Sequence, residues 1–155
     1  MLYPTVLWLH SWLRWGVVLL GLAALGGALV GWGRGRGWTG TDRRLQVACV
    51  SAFDLQMLLG LLLYFGLSPF TPVATGSLRA AMGVATLRFF GIEHPTVMLL
   101  AVVAVHGASA LSQRASTPEG RHRVWALGLL VAMGLVAVGI PWAGLSHGRP
   151  LFRSF

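Results

Sequence analysis

The chain has 155 residues, of which 55% are hydrophobic and only 10% charged, and its mean hydropathy is +0.71. A soluble domain carries roughly 25% charged residues, so this composition excludes a soluble globular protein and predicts an integral membrane protein. The net charge is +8, and every basic residue is arginine. These arginines cluster between apolar segments, which argues against nucleic-acid binding, and the single Cys49 excludes an intramolecular disulfide.

Four apolar segments are long enough to cross a hydrocarbon core, which needs around 20 helical residues. They cover residues of about 5–32, 45–67, 95–112 and 124–145. Together they leave no room for a separate soluble domain. The sequence therefore predicts an all-α fold, a four-helix transmembrane bundle that forms a single integral membrane domain over residues 1–155.

The first segment places a histidine, a cation and small residues on one helix face, at His10, Arg14, Gly21 and Ala24. A haem site needs this combination: a nitrogen for the iron, a counter-charge for the propionates and space for the ring. No positively charged stretch precedes the segment, so we expect it to be retained and not cleaved as a signal peptide.

The loops predict the orientation. Loop 33–44 carries four arginines and loop 113–123 carries three. The positive-inside rule assigns both loops to the cytoplasm. We therefore expect a multi-pass protein of the bacterial inner (cytoplasmic) membrane, with both termini, His10 and His94 on the outer, periplasmic side.

Segment 68–93 is the one long connection. Pro69 and Pro72 end the second span, and the stretch after Ser77 predicts a short amphipathic helix in the membrane interface, between spans 2 and 3. This helix would cover the candidate haem site at the outer end of the bundle, although a plain interfacial connector fits the pattern as well.

His94 opens the third span. Odd-numbered spans run parallel, so His10 and His94 lie at the same depth, and two imidazoles meeting in an apolar bundle can ligate one b-type haem. Glu93 would hydrogen-bond an imidazole and fix its tautomer. Arg14 and Arg88 would bind the propionates, since arginine forks match carboxylates. Separate interfacial histidines and arginines bound to lipid headgroups remain the alternatives.

Asp54 and His106 are ionisable groups at matching depth in the second and third spans, and such groups in membranes are candidates for function. We expect them to share a proton and, with Gln56 nearby, to form a proton path or a quinone contact; a structural hydrogen bond is the alternative. His106 has no partner histidine for a second haem, so the sequence favours one haem b and leaves a second open. His122 and His147 are expected to be exposed and passive.

Several motifs resemble a family of small four-span bacterial membrane proteins labelled cytochrome b-like, with an architecture similar to the cytochrome b561 class. They are His10-Ser-x-Leu-Arg14-Trp15, Asp54-Leu-Gln56-x-x-x-Gly60, Arg88-Phe-Phe-x-x-Glu93-His94 and Arg149-Pro-Leu-Phe-Arg153. The resemblance spans the whole chain and implies haem, without establishing a reaction.

The sequence thus predicts an electron-transfer protein more than a stand-alone enzyme: a cytochrome that passes electrons between the quinone pool and an outer-side redox protein. Two alternatives stay open. One is a cofactor-free structural or assembly subunit of a respiratory complex. The other is a metal-ion site built from His10, Glu93, His94 and His147, since imidazole suits copper, zinc and iron.

Overall fold

The computed structural model describes residues 2–154, and for Val73, Ala74, Ala80 and Ala81 only the backbone. The described residues form helices and no strands. In chain order, the helices are α1 (Leu2–Gly33), α2 (Gly40–Leu62), α3 (Pro72–Thr75), α4 (Leu78–Gly83), α5 (Ala85–Arg88), α6 (His94–Arg114) and α7 (Pro118–Gly139). A first π turn (Leu63–Leu67) extends α2, and a second π turn (Phe89–Glu93) joins α5 to α6.

Four helical segments are long and apolar enough to cross a membrane: Leu2–Gly33, Gly40–Leu67, Ala85–Arg114 and Pro118–Gly139. Each turns large apolar side chains outward, such as Leu19, Leu58, Val103 and Val131. Alanine is the most frequent buried residue, and Trp125 and Leu129 are the largest apolar side chains that are fully buried. This arrangement suits a bilayer, where close packing of small residues holds helices together. The chain is a four-helix transmembrane bundle.

Local sequence sets where α2 and α7 begin. Thr39 and Asp42 form a capping box at the start of α2, in which Thr39 Oγ1 accepts from the Asp42 amide. Arg36 donates to both carboxylate oxygens of Asp42, at 2.8 and 2.7 Å, and these hydrogen bonds raise the pKa of Arg36. At α7, Thr117 Oγ1 accepts from the Gly120 amide. Because of these caps, α2 and α7 begin within the stretches 33–44 and 113–123 that the sequence predicted as loops.

The end of α7 differs from the prediction. The helix ends at Gly139 instead of continuing to about residue 145. Pro141 causes this, because proline disfavours helical backbone at the residue before it, and Ile140 is extended (φ −70°, ψ 131°). The chain then folds back over the bundle as a tail, defined here as residues 140–154.

The single interfacial helix predicted between spans 2 and 3 is not formed. The segment divides into α3, α4 and α5. Gly76 takes a left-handed conformation (φ 66°) after α3, and Val84 is extended (φ −118°, ψ 117°) before α5. Helix α5 belongs to the third span, because the second π turn continues it into α6.

The spans follow the cyclic order α1, α2, α6, α7. Helices α6 and α7 approach closely at Gly128, where a Cβ atom would overlap that of Ala108. Helix α1 packs closely on α7 at Gly21, which faces Met133. Among these four neighbouring pairs, α2 and α6 pack least, and residues of both helices line the cavity described below.

We expect Gly128→Ala to destabilise the bundle by about 1–3 kcal/mol, because the added methyl has no space against α6. Gly134→Ala is the matched control on the same helix, since its Cβ would meet nothing within 4 Å. Thermal unfolding in detergent compares the two variants. Equal melting temperatures would contradict the close contact between α6 and α7.

Candidate functional site

His10 on α1 and His94 at the start of α6 face each other. Their ring centroids are 6.3 Å apart and their planes are inclined by 74°. The two helices are diagonal neighbours in the bundle, so the pair spans its interior. We call this the histidine end of the bundle. The structure therefore brings together the two histidines that the sequence predicted to share one depth.

A hydrogen bond holds the His94 ring. Its Nδ1 lies 2.8 Å from the carbonyl oxygen of Gly139, in the last turn of α7. That carbonyl is one of the acceptors that a helix end leaves without an intrahelical donor. Because a carbonyl can only accept, the proton is on Nδ1, and Nε2 keeps a free lone pair. Metal-ligating histidines are commonly oriented in this way.

His10 is held by α2. The side-chain nitrogen of Gln56 donates to the carbonyl oxygen of His10 at 3.0 Å and lies 3.3 Å from its Nε2. Gly60, one turn further along α2, gives the ring room, since a Cβ there would lie 3.3 Å from its Cε1. The buried Nδ1 atom of His10 has no hydrogen-bond partner among the described residues.

The two π turns support this end of the bundle. Pro95 has no N–H and crowds the carbonyl of Gly91, four residues earlier. The Tyr64 hydroxyl donates to that carbonyl at 3.0 Å. The carbonyl of Tyr64 itself accepts from the Thr71 hydroxyl at 2.9 Å. Tyr64 thus connects the π turns on either side, and π turns are frequent at functional sites.

A cavity of about 480 Å³ lies between the π turns and the bundle interior. This is within the range of cofactor pockets, which are mostly apolar with a few placed polar groups. Among the predicted site residues, His10, Arg14, Gln56 and His94 line it. Its apolar wall includes Val17, Phe53, Met57, Leu63, Phe90, Met98, Ala101, Val102, Val136 and Ile140.

Arg88 and Glu93 do not line the cavity as predicted. They form an ion pair at 2.7 Å, with 45% and 43% of their side chains exposed. The expected hydrogen bond from Glu93 to an imidazole is wrong, since Nδ1 of His94 binds the Gly139 carbonyl. The second π turn changes the direction of residues 89–93, which helical spacing cannot predict.

The tail packs against α1 beside the cavity. The guanidinium of Arg14 donates to the carbonyl of Leu151, as does the indole nitrogen of Trp15 at 3.1 Å. Trp12 donates to the carbonyl of Arg153 at 2.9 Å. The Phe152 ring stacks on Trp15 with a centroid distance of 5.2 Å. The sequence analysis did not predict this contact between the tail and α1.

Asp54 and His106 form a second polar pair, with 2.7 Å between Oδ1 and Nε2. The structure therefore brings together the two ionisable residues that the sequence placed at one depth. Gln56 does not join them as predicted and binds His10 instead. Two positions along a helix correspond to a rotation of about 200°, which turns Gln56 to the interior when Asp54 faces outward.

The prediction for His122 is wrong, and that for His147 needs correction. His122 is fully buried against Gly31 and Trp38, because α7 begins at Pro118 and includes it in its first turns. His147 is half-buried, and its ring stacks on that of Phe89 with a centroid distance of 3.7 Å. The early end of α7 lets the tail carry it back over the bundle.

Among the described residues, no group of three or more His, Cys, Asp or Glu side chains could hold a metal ion. Comparison with models of protein families, with curated proteins and with solved structures found no match. The geometry of the site is therefore the basis for assigning a function.

We expect Tyr64→Phe to lower the free energy of unfolding by about 1–3 kcal/mol, because it leaves the Gly91 carbonyl without a donor. Tyr3→Phe is the matched control, since it removes the chain's other tyrosine hydroxyl, at the start of α1. Thermal unfolding in lipid nanodiscs measures both. If the two variants unfold at the same temperature, the hydrogen bond does not stabilise the π turn.

Proposed function

We propose that the protein is a b-type haem membrane cytochrome, which transfers electrons between the quinone pool and a redox protein on the outer side of the membrane. The observation that carries the proposal is the 6.3 Å between the ring centroids of His10 and His94. A metal–imidazole bond of about 2.0–2.1 Å puts two rings that ligate one ion from opposite sides about 6 Å apart. The spacing therefore leaves room for one ion.

The unpaired ring nitrogens support haem over a separate role for each histidine. Nδ1 of His10 is buried without a hydrogen-bond partner among the described residues, and because Nδ1 of His94 binds the Gly139 carbonyl, Nε2 is the ring nitrogen that His94 offers to a ligand. A polar atom left unpaired in an apolar site is costly, so a ligand that binds it stabilises the protein. The cavity of about 480 Å³ supplies space for a flat macrocycle beside both rings.

Arg14 is the residue best placed to bind a propionate. It lies one helical turn after His10 and lines the cavity. Its buried Nε has no hydrogen-bond partner among the described residues. The contact with the Leu151 carbonyl fixes the guanidinium, so its remaining N–H groups are already oriented. Arg88, the other arginine that we expected here, is engaged by Glu93.

A haem held by His10 and His94 would supply one-electron transfer. The chain's own residues orient and protect the group. The Gly139 carbonyl holds the His94 ring, and Gln56 holds the backbone of His10. The resemblance to cytochrome b-like proteins adds to this proposal, since its His10, Arg14 and His94 motifs meet at one cavity.

A bare metal-ion site is less well supported. It needs more protein ligands than a haem, whose macrocycle supplies four nitrogens itself. Glu93 is paired with Arg88 and His147 is stacked on Phe89, so neither completes a ligand set with His10 and His94. A cofactor-free assembly subunit would be colourless after purification, which separates it from a cytochrome at once.

We expect His10→Ala and His94→Ala each to abolish stoichiometric haem, measured by a reduced-minus-oxidised spectrum and pyridine extraction. His147→Ala is the matched control and should retain haem, because its ring stacks on Phe89 outside the cavity lining. Added imidazole should restore haem to the alanine variants by occupying the vacated position. Full haem in both variants without imidazole would contradict the ligand assignment.

The seven arginines at the end opposite the histidine end support the predicted orientation in the bacterial inner membrane. A reporter fused after Phe155 should be active in the periplasm, and one inserted in the loop after Gly33 should be active in the cytoplasm. The reverse pattern would put the cavity near the cytoplasm and contradict the outer-side partner.

A further inference from the structure

The Asp54–His106 pair lies within two of the membrane-spanning helical segments and opens outward. Asp54 is in the middle of the Gly40–Leu67 span. His106 lies about two helical turns before the end of the Ala85–Arg114 span. Yet 46% of the Asp54 side chain and 49% of the His106 side chain are exposed on the outer surface of the bundle.

This exposure is unusual for ionisable groups. In the hydrocarbon region such residues almost always face the bundle interior or a water-filled cavity, because contact with lipid chains is costly. One hydrogen bond joins the two side chains, with 2.7 Å between Asp54 Oδ1 and His106 Nε2. A carboxylate offers about four acceptor positions in all, so the outward side of Asp54 can receive a further donor.

The pair also adjoins the cavity. Phe53 precedes Asp54, and Val102 lies one helical turn before His106 on the same face of α6; both line the cavity. Helices α2 and α6 are the least closely packed neighbouring spans. A ring held at the pair would therefore sit on the lipid side of the apolar wall that surrounds the proposed haem.

We propose that Asp54 and His106 form a binding site for the head group of a membrane quinol, which enters from the lipid between α2 and α6. This inference rests on the proposed function. The ligand must be soluble in lipid and carry hydroxyl groups, and a quinol has both properties. Phospholipid head groups stay at the membrane surface and do not reach this depth. A second copy of the chain would cover the pair, but that role gives no reason for its position beside the cavity.

Oxidation of a quinol at this pair is balanced in protons and electrons. Oxidation of a quinol to the quinone breaks two O–H bonds and releases two protons and two electrons. The Asp54 carboxylate and the His106 imidazole are bases placed to take the protons one at a time, forming an O–H or N–H bond. The electrons pass singly to a one-electron oxidant, which is ferric haem under the proposed function.

The test uses the full chain in nanodiscs under reducing conditions and measures equilibrium binding of decylbenzoquinol and of a matched naphthoquinol. Asp54→Asn and His106→Gln should each weaken binding by about tenfold or more, as expected for the loss of a hydrogen bond to a charged group. Haem content and the haem spectrum should be unchanged. Ser51→Ala is the control, because Ser51 is exposed on α2 one turn before the pair.

A second measurement needs no variant. An azido-quinone photolabel, reduced to its quinol, should attach to the unmodified protein within residues 53–58 or 102–107, and infrared difference spectra on quinol binding should contain a carboxyl band that Asp54→Asn removes. Unchanged quinol affinity in both variants, or labelling elsewhere, would overturn the site. A dimer that is lost in Asp54→Asn while quinol fails to bind would assign the surface to a second copy instead.

The two proposals fail separately. A protein that binds quinol at this pair but takes up no haem would contradict the cytochrome and keep the quinol site. A protein with full haem and no quinol binding would keep the cytochrome and exclude the quinol site.

Discussion

Pro95 leaves the carbonyl of Gly91 without its helical donor, and the structure of the histidine end depends on how that carbonyl is satisfied. In a bilayer no water is at hand for an unpaired backbone group. The Tyr64 hydroxyl supplies the bond, which fixes the second π turn against the first. His94 follows directly after this turn, so the hydrogen bond from Tyr64 also influences the direction of the His94 ring. One missing N–H thus sets the direction of a candidate ligand.

The cavity follows from unequal packing around the bundle. Glycines allow α7 to approach both α6 and α1 closely, at Gly128 and Gly21. Phe53 and Met57 of α2 and Val102 of α6 line the cavity, and these two helices are the least closely packed of the four neighbouring pairs. A space for a ligand is therefore a consequence of where the small residues lie.

The four spans, the pairing of Asp54 with His106 and the approach of His10 to His94 could be predicted from the sequence. Apolar length defines spans, and the parallel course of alternate spans defines depth. The partner of His94 could not be predicted, because it is a backbone carbonyl at the end of α7 and carries no sequence signal. The burial of His122 was missed because a cap at Thr117 starts α7 early. The rule that proline ends a helix would have predicted the end of α7 at Pro141.

The contacts of the tail with α1 have a consequence for biosynthesis. The bonds from Trp12, Arg14 and Trp15 reach acceptors 136 to 141 residues later in the chain. Translation delivers the N-terminal part first, so α1 enters the membrane well before these acceptors exist. Its arginine and two indoles therefore stay without these acceptors until residues 151–153 are made. A nascent chain that stops after α7 would contain all four spans and still leave this face of the first helix unfinished.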